Sequence, residues 1–379
     1  MKVAFYAPMK PPDHPVPSGD RHMARLLISA LERSGHDVTL ASRLVSRDGR
    51  GDALRQARLQ RLGSELAERL LRRYARAPRD QLPELWLTYH LYYKAPDHLG
   101  PKVSKALGIP YMVAEASVAP KRAGGPWDLG HRAVLSALGA AKGAITLNPA
   151  DAGCLDPALP QLLLPPFLDP QPYEAARGMR SAHRKTVAER FGMNPEKTWL
   201  LTVAMMRPGD KLASYRLLAE ALKTLATTDW EILVVGDGAA SGEVREAFQG
   251  FANDQMPLRW ARALPGEMLP TIYAAADLFV WPAIREAYGM ALLEAQAAGL
   301  AVVAGREGGV PAVVDDQSSG LLTPPGDCRA FAAAVSRLIA DPDLRGEMGR
   351  KAAERVSRTQ NLDVSARKIT TFLERCRTP

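Results

Sequence analysis

Short apolar runs of strand length alternate with longer amphipathic stretches along almost the whole chain, and this alternation restricts the chain to very few folds. Strand-like runs at 2–7, 37–41, 85–89, 110–114 and 143–147 are interleaved with helical periodicity, beginning with a helix over 19–34. A parallel sheet wrapped by helices satisfies such a pattern, because each parallel pair needs a long crossover that a helix fills. The pattern then restarts. Strands are predicted at 199–204, 231–235, 278–281 and 300–304, with helices at 212–224, 289–298 and 329–340. The fold class expected is α/β, with two Rossmann-like doubly wound domains facing a central cleft and ligands at the carboxyl ends of the strands.

The 379-residue length suits two domains of ordinary size. A proline-rich passage at 164–172 marks the break. The expected division is an N-terminal acceptor-side domain over 1–165, a linker over 166–190 and a C-terminal donor domain over 191–359. A last helix over 360–379 is free to pack back on the first domain. With 46% hydrophobic and 24% charged residues the chain reads as soluble and globular. Cys154, Cys328 and Cys376 have no CxxC spacing, which argues against a disulfide framework or zinc knuckle and for a reducing compartment. Pro8 cuts the first apolar run, and no run approaches the roughly 18 residues of a membrane span, so neither a signal peptide nor a transmembrane helix is expected. A cytoplasmic protein, peripheral at most to a membrane, is the corresponding expectation.

The charge is uneven. Residues 1–190 hold 28 Lys+Arg against 18 Asp+Glu, and the remainder 21 against 23, so the net +8 resides in the first half. Much of it comes from eight arginines between Arg55 and Arg79, accompanied only by Glu65 and Glu68. Leu59, Leu62, Leu66, Leu70 and Tyr74 recur at helical spacing among them, giving an amphipathic helix with a basic outer face. A solvated surface is one reading, and contact with an anionic membrane or an acidic acceptor is the other. No recognition motif accompanies the charge, so nucleic acid is not expected.

The segment 281–311 carries the chemistry. A strand ends at Pro282, a short loop carries Glu286, and a helix starts near Gly289, whose free amides and dipole favour an anion such as a diphosphate. Glu286 and Glu294 supply two carboxylates, which accept hydrogen bonds from sugar hydroxyls. Their spacing, with Gly289 and the downstream Gly308-Gly309-Val310-Pro311, resembles the donor site of the retaining glycosyltransferase family 4, the glycosyl transferases group 1, which have the two-domain GT-B fold. The resemblance extends to the start of the chain with its Gly19 loop, to 230–238 and to 320–327. It implies a retaining glycosyltransferase that moves a sugar from a nucleoside-diphosphate sugar to a hydroxyl acceptor in polysaccharide, glycolipid or envelope glycan synthesis. It also implies that Glu286 holds hydroxyls of the sugar, Glu294 those of the ribose, and Gly289, Met290 and Ala291 offer backbone amides, with Gly308 and Gly309 beside them.

Breaking a sugar–diphosphate bond releases negative charge, which Arg207 and Lys211, after the 199–204 strand, are placed to meet. On the N-terminal side, Gly19 and His22 open a helix that suits an acceptor or phosphate. His90 and Glu115 stand at strand ends, and either is placed to orient the acceptor hydroxyl; the family's histidine near the second of these positions is replaced here by Glu115-Ala116-Ser117. Lys121 and Arg122 suit an anionic acceptor or plain solvent. Asp341-Pro342-Asp343 matches a metal-binding Asp-x-Asp but reads better as a helix cap, so neither metal nor cofactor is expected. Other activities of the same fold, a nucleotide-sugar epimerase or a phosphorylase, and a non-catalytic nucleotide-sugar-binding adaptor, are the alternatives.

Overall fold

Two six-stranded sheets, all of whose strand pairs are parallel, organise the chain. The computed structural model describes residues 1–16, 18–250 and 257–377; Pro17, in the glycine loop read above, and the last two residues of the C-terminal segment lie outside these. The chain divides into one unit of Met1–Pro165 with Leu362–Pro379 and another of Pro166–Asn361.

In the first unit the strands are β1 (Lys2–Tyr6), β2 (Asp37–Ser42), β3 (Leu85–Leu91), β4 (Tyr111–Ala116), β5 (Gly143–Thr146) and β6 (Gln161–Leu163), in the order β2-β1-β3-β4-β5-β6. The second contains β7 (Thr198–Val203), β8 (Trp230–Val235), β9 (Leu258–Ala261), β10 (Leu278–Trp281), β11 (Ala301–Gly305) and β12 (Gly320–Thr323), in the order β12-β11-β10-β7-β8-β9. The two sheets are thus wound differently. The second has the strand order of dinucleotide-binding folds and reverses direction between β7 and β10; the first reverses between β1 and β3. At such a point the crossovers leave toward opposite faces, and a crevice opens at the carboxyl ends of the two strands.

Every residue of β8, β10 and β11 is buried, as expected where helices cover both faces of a parallel sheet. The sequence pattern does not show β6, β9 and β12. All are edge strands of three or four residues, too short for a periodic signal. Residues 166–190, read above as a linker, are instead largely helical, with helices at Gln171–Gly178 and Arg180–Phe191 in the second unit. Pro172 stands in the first turn of the earlier helix, where its missing N–H costs nothing, so proline here starts a helix. The C-terminal helix Leu362–Arg377 belongs to the first unit, where Arg33 pairs with Asp363 at 2.7 Å and His36 bonds to Thr370 at 3.0 Å.

Candidate active site

The loop after β10 holds Glu286 in a strained backbone. Ala283 and Arg285 have φ of 57° and 47°, and Gly289 has 71°, so three residues near one another occupy the left-handed region. For a non-glycine residue that conformation costs on the order of 1 kcal/mol and persists only where neighbours enforce it. Two neighbours do so here. Ser214, on the Asp210–Lys223 helix, accepts the Ile284 N–H at 3.0 Å, and the Gly309 N–H donates to the Glu286 carbonyl at 3.0 Å. A Cβ on Gly308 would lie 2.1 Å from the Glu286 carbonyl oxygen, and one on Gly309 2.0 Å from that of Ala287. These glycines let one loop lie against the other. The Gly309 amide is therefore committed within the chain.

Glu286 does not stand alone. Its Oε2 accepts hydrogen bonds from Lys211 Nζ and, at 3.2 Å, from Trp281 Nε1. Lys211 lies in the first turn of the Asp210–Lys223 helix after β7, and its Nζ is 5.3 Å from the centroid of the Trp281 ring. The indole is itself fixed edge-on against Tyr215, at 5.0 Å between centroids. Cation and carboxylate are therefore held from β7 and β10, the two strands at the reversal point. Trp281→Phe removes the N–H together with part of a buried ring, and is expected to weaken turnover about tenfold, consistent with the loss of one hydrogen bond to a charged group, and to lower Tm through the cavity it leaves. Paired kcat and melting measurements check it; unchanged kcat would show that the indole does not position Glu286.

The Met290–Ala297 helix begins beside this pair. Gly289 is its N-terminal flanking residue, and its carbonyl accepts from Leu292 and Leu293, while the Met290 and Ala291 amides have no recorded acceptor among the described residues. Glu294, in the same helix, receives the Tyr273 hydroxyl at 2.8 Å, and Tyr173 stacks edge-on against Tyr273 at 6.0 Å. Burial pushes the Glu294 carboxyl up to about 7, against the opposing effect of the Tyr273 hydrogen bond. Arg207 is exposed and has no side-chain partner among the described residues, so the structure does not join it to Lys211. Asp341 caps the Pro342–Thr359 helix by accepting the Leu344 N–H at 2.9 Å, and no group of three or more potential metal ligands occurs among the described residues.

The first unit has its own constellation at its reversal point. His90 near the end of β3 and Glu115 near the end of β4 face one another in register, flanked by the pairs Tyr89↔Ala114 and Leu91↔Ala116. Both are left-handed, with φ of 62° and 54°. His90 Nδ1 lies 3.1 Å from Asp20 Oδ1, in the first turn of the Gly19–Arg33 helix after β1. Gly19 adopts no glycine-specific conformation, and nothing lies within 4 Å of the position its Cβ would take, so neither strain nor crowding requires glycine there. His22 is exposed on the same helix. Arg122 packs over Tyr93 and Trp127, at 5.0 and 5.1 Å from their ring centroids. Trp281, Tyr273 and Asp20 are the members that sequence reasoning missed; only the position of Asp20, directly after Gly19, gave any signal.

Comparison with known proteins relates part of the sequence and the whole fold to glycosyltransferases. Residues 197–341 match the family model Glycosyl transferases group 1. The chain is 34% identical over 147 residues to D-inositol 3-phosphate glycosyltransferase of Corynebacterium kroppenstedtii, covering 38% of this chain and 33% of that protein. It is 35% identical over 126 residues to sulfoquinovosyl transferase SQD2 of Arabidopsis thaliana, covering 32% and 24%. These matches span a third or less of the length of either relative. Sucrose-phosphate synthase of Thermosynechococcus elongatus shares the fold with a TM-score of 0.71 at 20% identity, over 99% of this chain and 98% of that one. So does HepE of Anabaena, solved in complex with UDP, with a TM-score of 0.71 at 16% identity over 99% and 100%. The architecture is the two-domain α/β fold of GT-B glycosyltransferases.

Proposed function

We propose that this chain, whose residues 197–341 match the Glycosyl transferases group 1 model, moves a sugar from a nucleoside-diphosphate sugar to an acceptor hydroxyl with retention of configuration. The observation that carries the reading is the Lys211–Glu286 pair at the reversal point of the second sheet, beside the free amides of the Met290–Ala297 helix. Glu286 accepts hydroxyls of the donor sugar, Lys211 and the Met290 and Ala291 amides meet the diphosphate, and Glu294 accepts the ribose hydroxyls. The bond from the anomeric carbon to the diphosphate oxygen breaks as the acceptor oxygen bonds to that carbon, and the acceptor proton passes to the departing phosphate. Charge that builds on the leaving group is stabilised by groups already in place. His90 and Glu115 orient the acceptor, in a backbone whose strain is characteristic of functional positions. Lys211 and the helix amides take the part of a cation, so EDTA is expected to leave turnover unchanged.

Nucleotide binding carries a pH signature. With its carboxyl pushed up to about 7, Glu294 is mostly protonated at pH 6, and affinity for the nucleoside diphosphate is expected to be about tenfold weaker there than at pH 8. Stability of the ligand-free protein runs the other way. A carboxyl whose folded pKa is raised stabilises the protein fully below its unfolded value of 4.5, and that contribution is lost as pH rises through about 7. Calorimetric titration of wild type and Glu294→Gln across this range checks both signs; an equally steep pH dependence of binding in the variant would remove Glu294 from the nucleotide site.

A further inference from the structure

We propose that the outward stripe of the helix Ala53–Arg76 is a docking surface for an anionic lipid bilayer. The helix is 24 residues long, so the stripe extends about 36 Å. Its inner face buries Gln56, Gly63, Ala67, Leu70 and Tyr74, at spacings of three, four and seven, and this fixes what points the other way. Opposite them lie Arg58, Arg61, Arg69, Arg72 and Arg76, all exposed, with Arg55 and Arg73 on one flank. Glu65 is the one acidic residue within the stripe; Glu68, at its other flank, is held by Lys102 at 3.0 Å. Hardly any counter-charge from the fold therefore reaches the stripe.

Like charges three and four residues apart destabilise a helix, and Arg69, Arg72, Arg73 and Arg76 make four such pairs within two turns. A partner carrying dense negative charge relieves that repulsion. The apolar members identify the partner as lipid. Leu54, 84% exposed, lies on the stripe at its N-terminal end and Leu62, 38% exposed, on the flank, so apolar side chains accompany the cations at the outer surface. That combination suits a headgroup layer, where leucine enters the acyl boundary and arginine stays with the phosphates. Nucleic acid is disfavoured because the stripe offers no aromatic ring for base stacking; Tyr74, the helix's one tyrosine, is buried.

The test is sedimentation of the full chain with vesicles of phosphatidylcholine alone and with about 30% phosphatidylglycerol. The expected result is binding to the anionic vesicles only, weakened about tenfold or more on going from low salt to about 0.5 M. The triple variant Arg69→Glu, Arg72→Glu, Arg76→Glu is expected to lose the same factor while keeping the wild-type melting temperature and nucleotide affinity, which separates this surface from the donor site. Leu54→Asp is expected to lower binding severalfold at unchanged salt dependence. Equal binding to both vesicle types, binding unchanged by charge reversal, or no binding at low salt overturns the proposal. Stripe-dependent binding to poly(U) or duplex DNA in place of vesicles overturns it as well.

Discussion

Glu286→Gln is expected to lower sugar transfer by about two to three orders of magnitude, the scale seen when one preorganised polar group is removed from a reacting centre, and to lower the melting temperature as well because the half-buried Lys211 loses its opposite charge. Glutamine fills the same space and still accepts the Trp281 N–H, but it gives Lys211 no opposite charge. Lys211→Met is expected to act on the same step to a similar degree, because the proposed mechanism sets Lys211 against the leaving diphosphate. The two side chains share one hydrogen bond, so the double variant is expected to fall well short of the product of the single effects. Steady-state transfer or donor hydrolysis measures all three. Single variants within twofold of wild type would remove the pair from the mechanism.

The second large effect concerns stability, at the opposite end of β10. Asp277 accepts from Arg180 at 2.6 Å, from Arg184 at 2.9 Å and from the Trp199 amide at 2.7 Å. Arg184 also stacks over Trp199 at 4.0 Å, and both arginines bond to carbonyls at the end of the Leu269–Ala275 helix and just after it. Asp277→Ala leaves two guanidinium groups facing each other with no carboxylate between them. Breaking such a partly buried cluster costs about 3 kcal/mol, the lower end for an ion pair that loses one partner. For a unit of this size that corresponds to a melting temperature lower by about 6–12 °C. Scanning calorimetry checks it, and an unchanged Tm would mean that the two arginines are held by the carbonyls alone.

The doubly wound layout was legible because it depends on local periodicity, which a parallel sheet covered on both faces imposes strongly. Edge strands of three or four residues carry little of that signal, and β6, β9 and β12 were invisible for this reason, whereas the six-residue edge strand β2 was found. The error over 166–190 came from reading proline as a spacer, although Pro172 occupies the helix position that tolerates it. Within the candidate site, the motif and the strand-end position picked out Glu286 and Lys211, which the structure brings into contact, and Glu294, which it pairs with Tyr273. Trp281 and Tyr273 were not picked out, since nothing in their local sequence indicates that each donates to a carboxylate 5 or 21 residues away. Gly308 and Gly309 were found by the same motif and expected beside the ligand, and the structure adds a packing reason for them, close approach to the 286–287 backbone. A motif identifies a position that tolerates no other residue without stating which contact makes it so.

Isothermal titration calorimetry of UDP, GDP and ADP into the metal-free protein and into Glu294→Ala tests the central claim most directly. The account predicts that one of the three binds selectively and that its affinity falls at least about tenfold in the variant, in line with the loss of a buried hydrogen-bonding carboxylate. Absence of binding by all three, or equal affinity in wild type and variant, would contradict it.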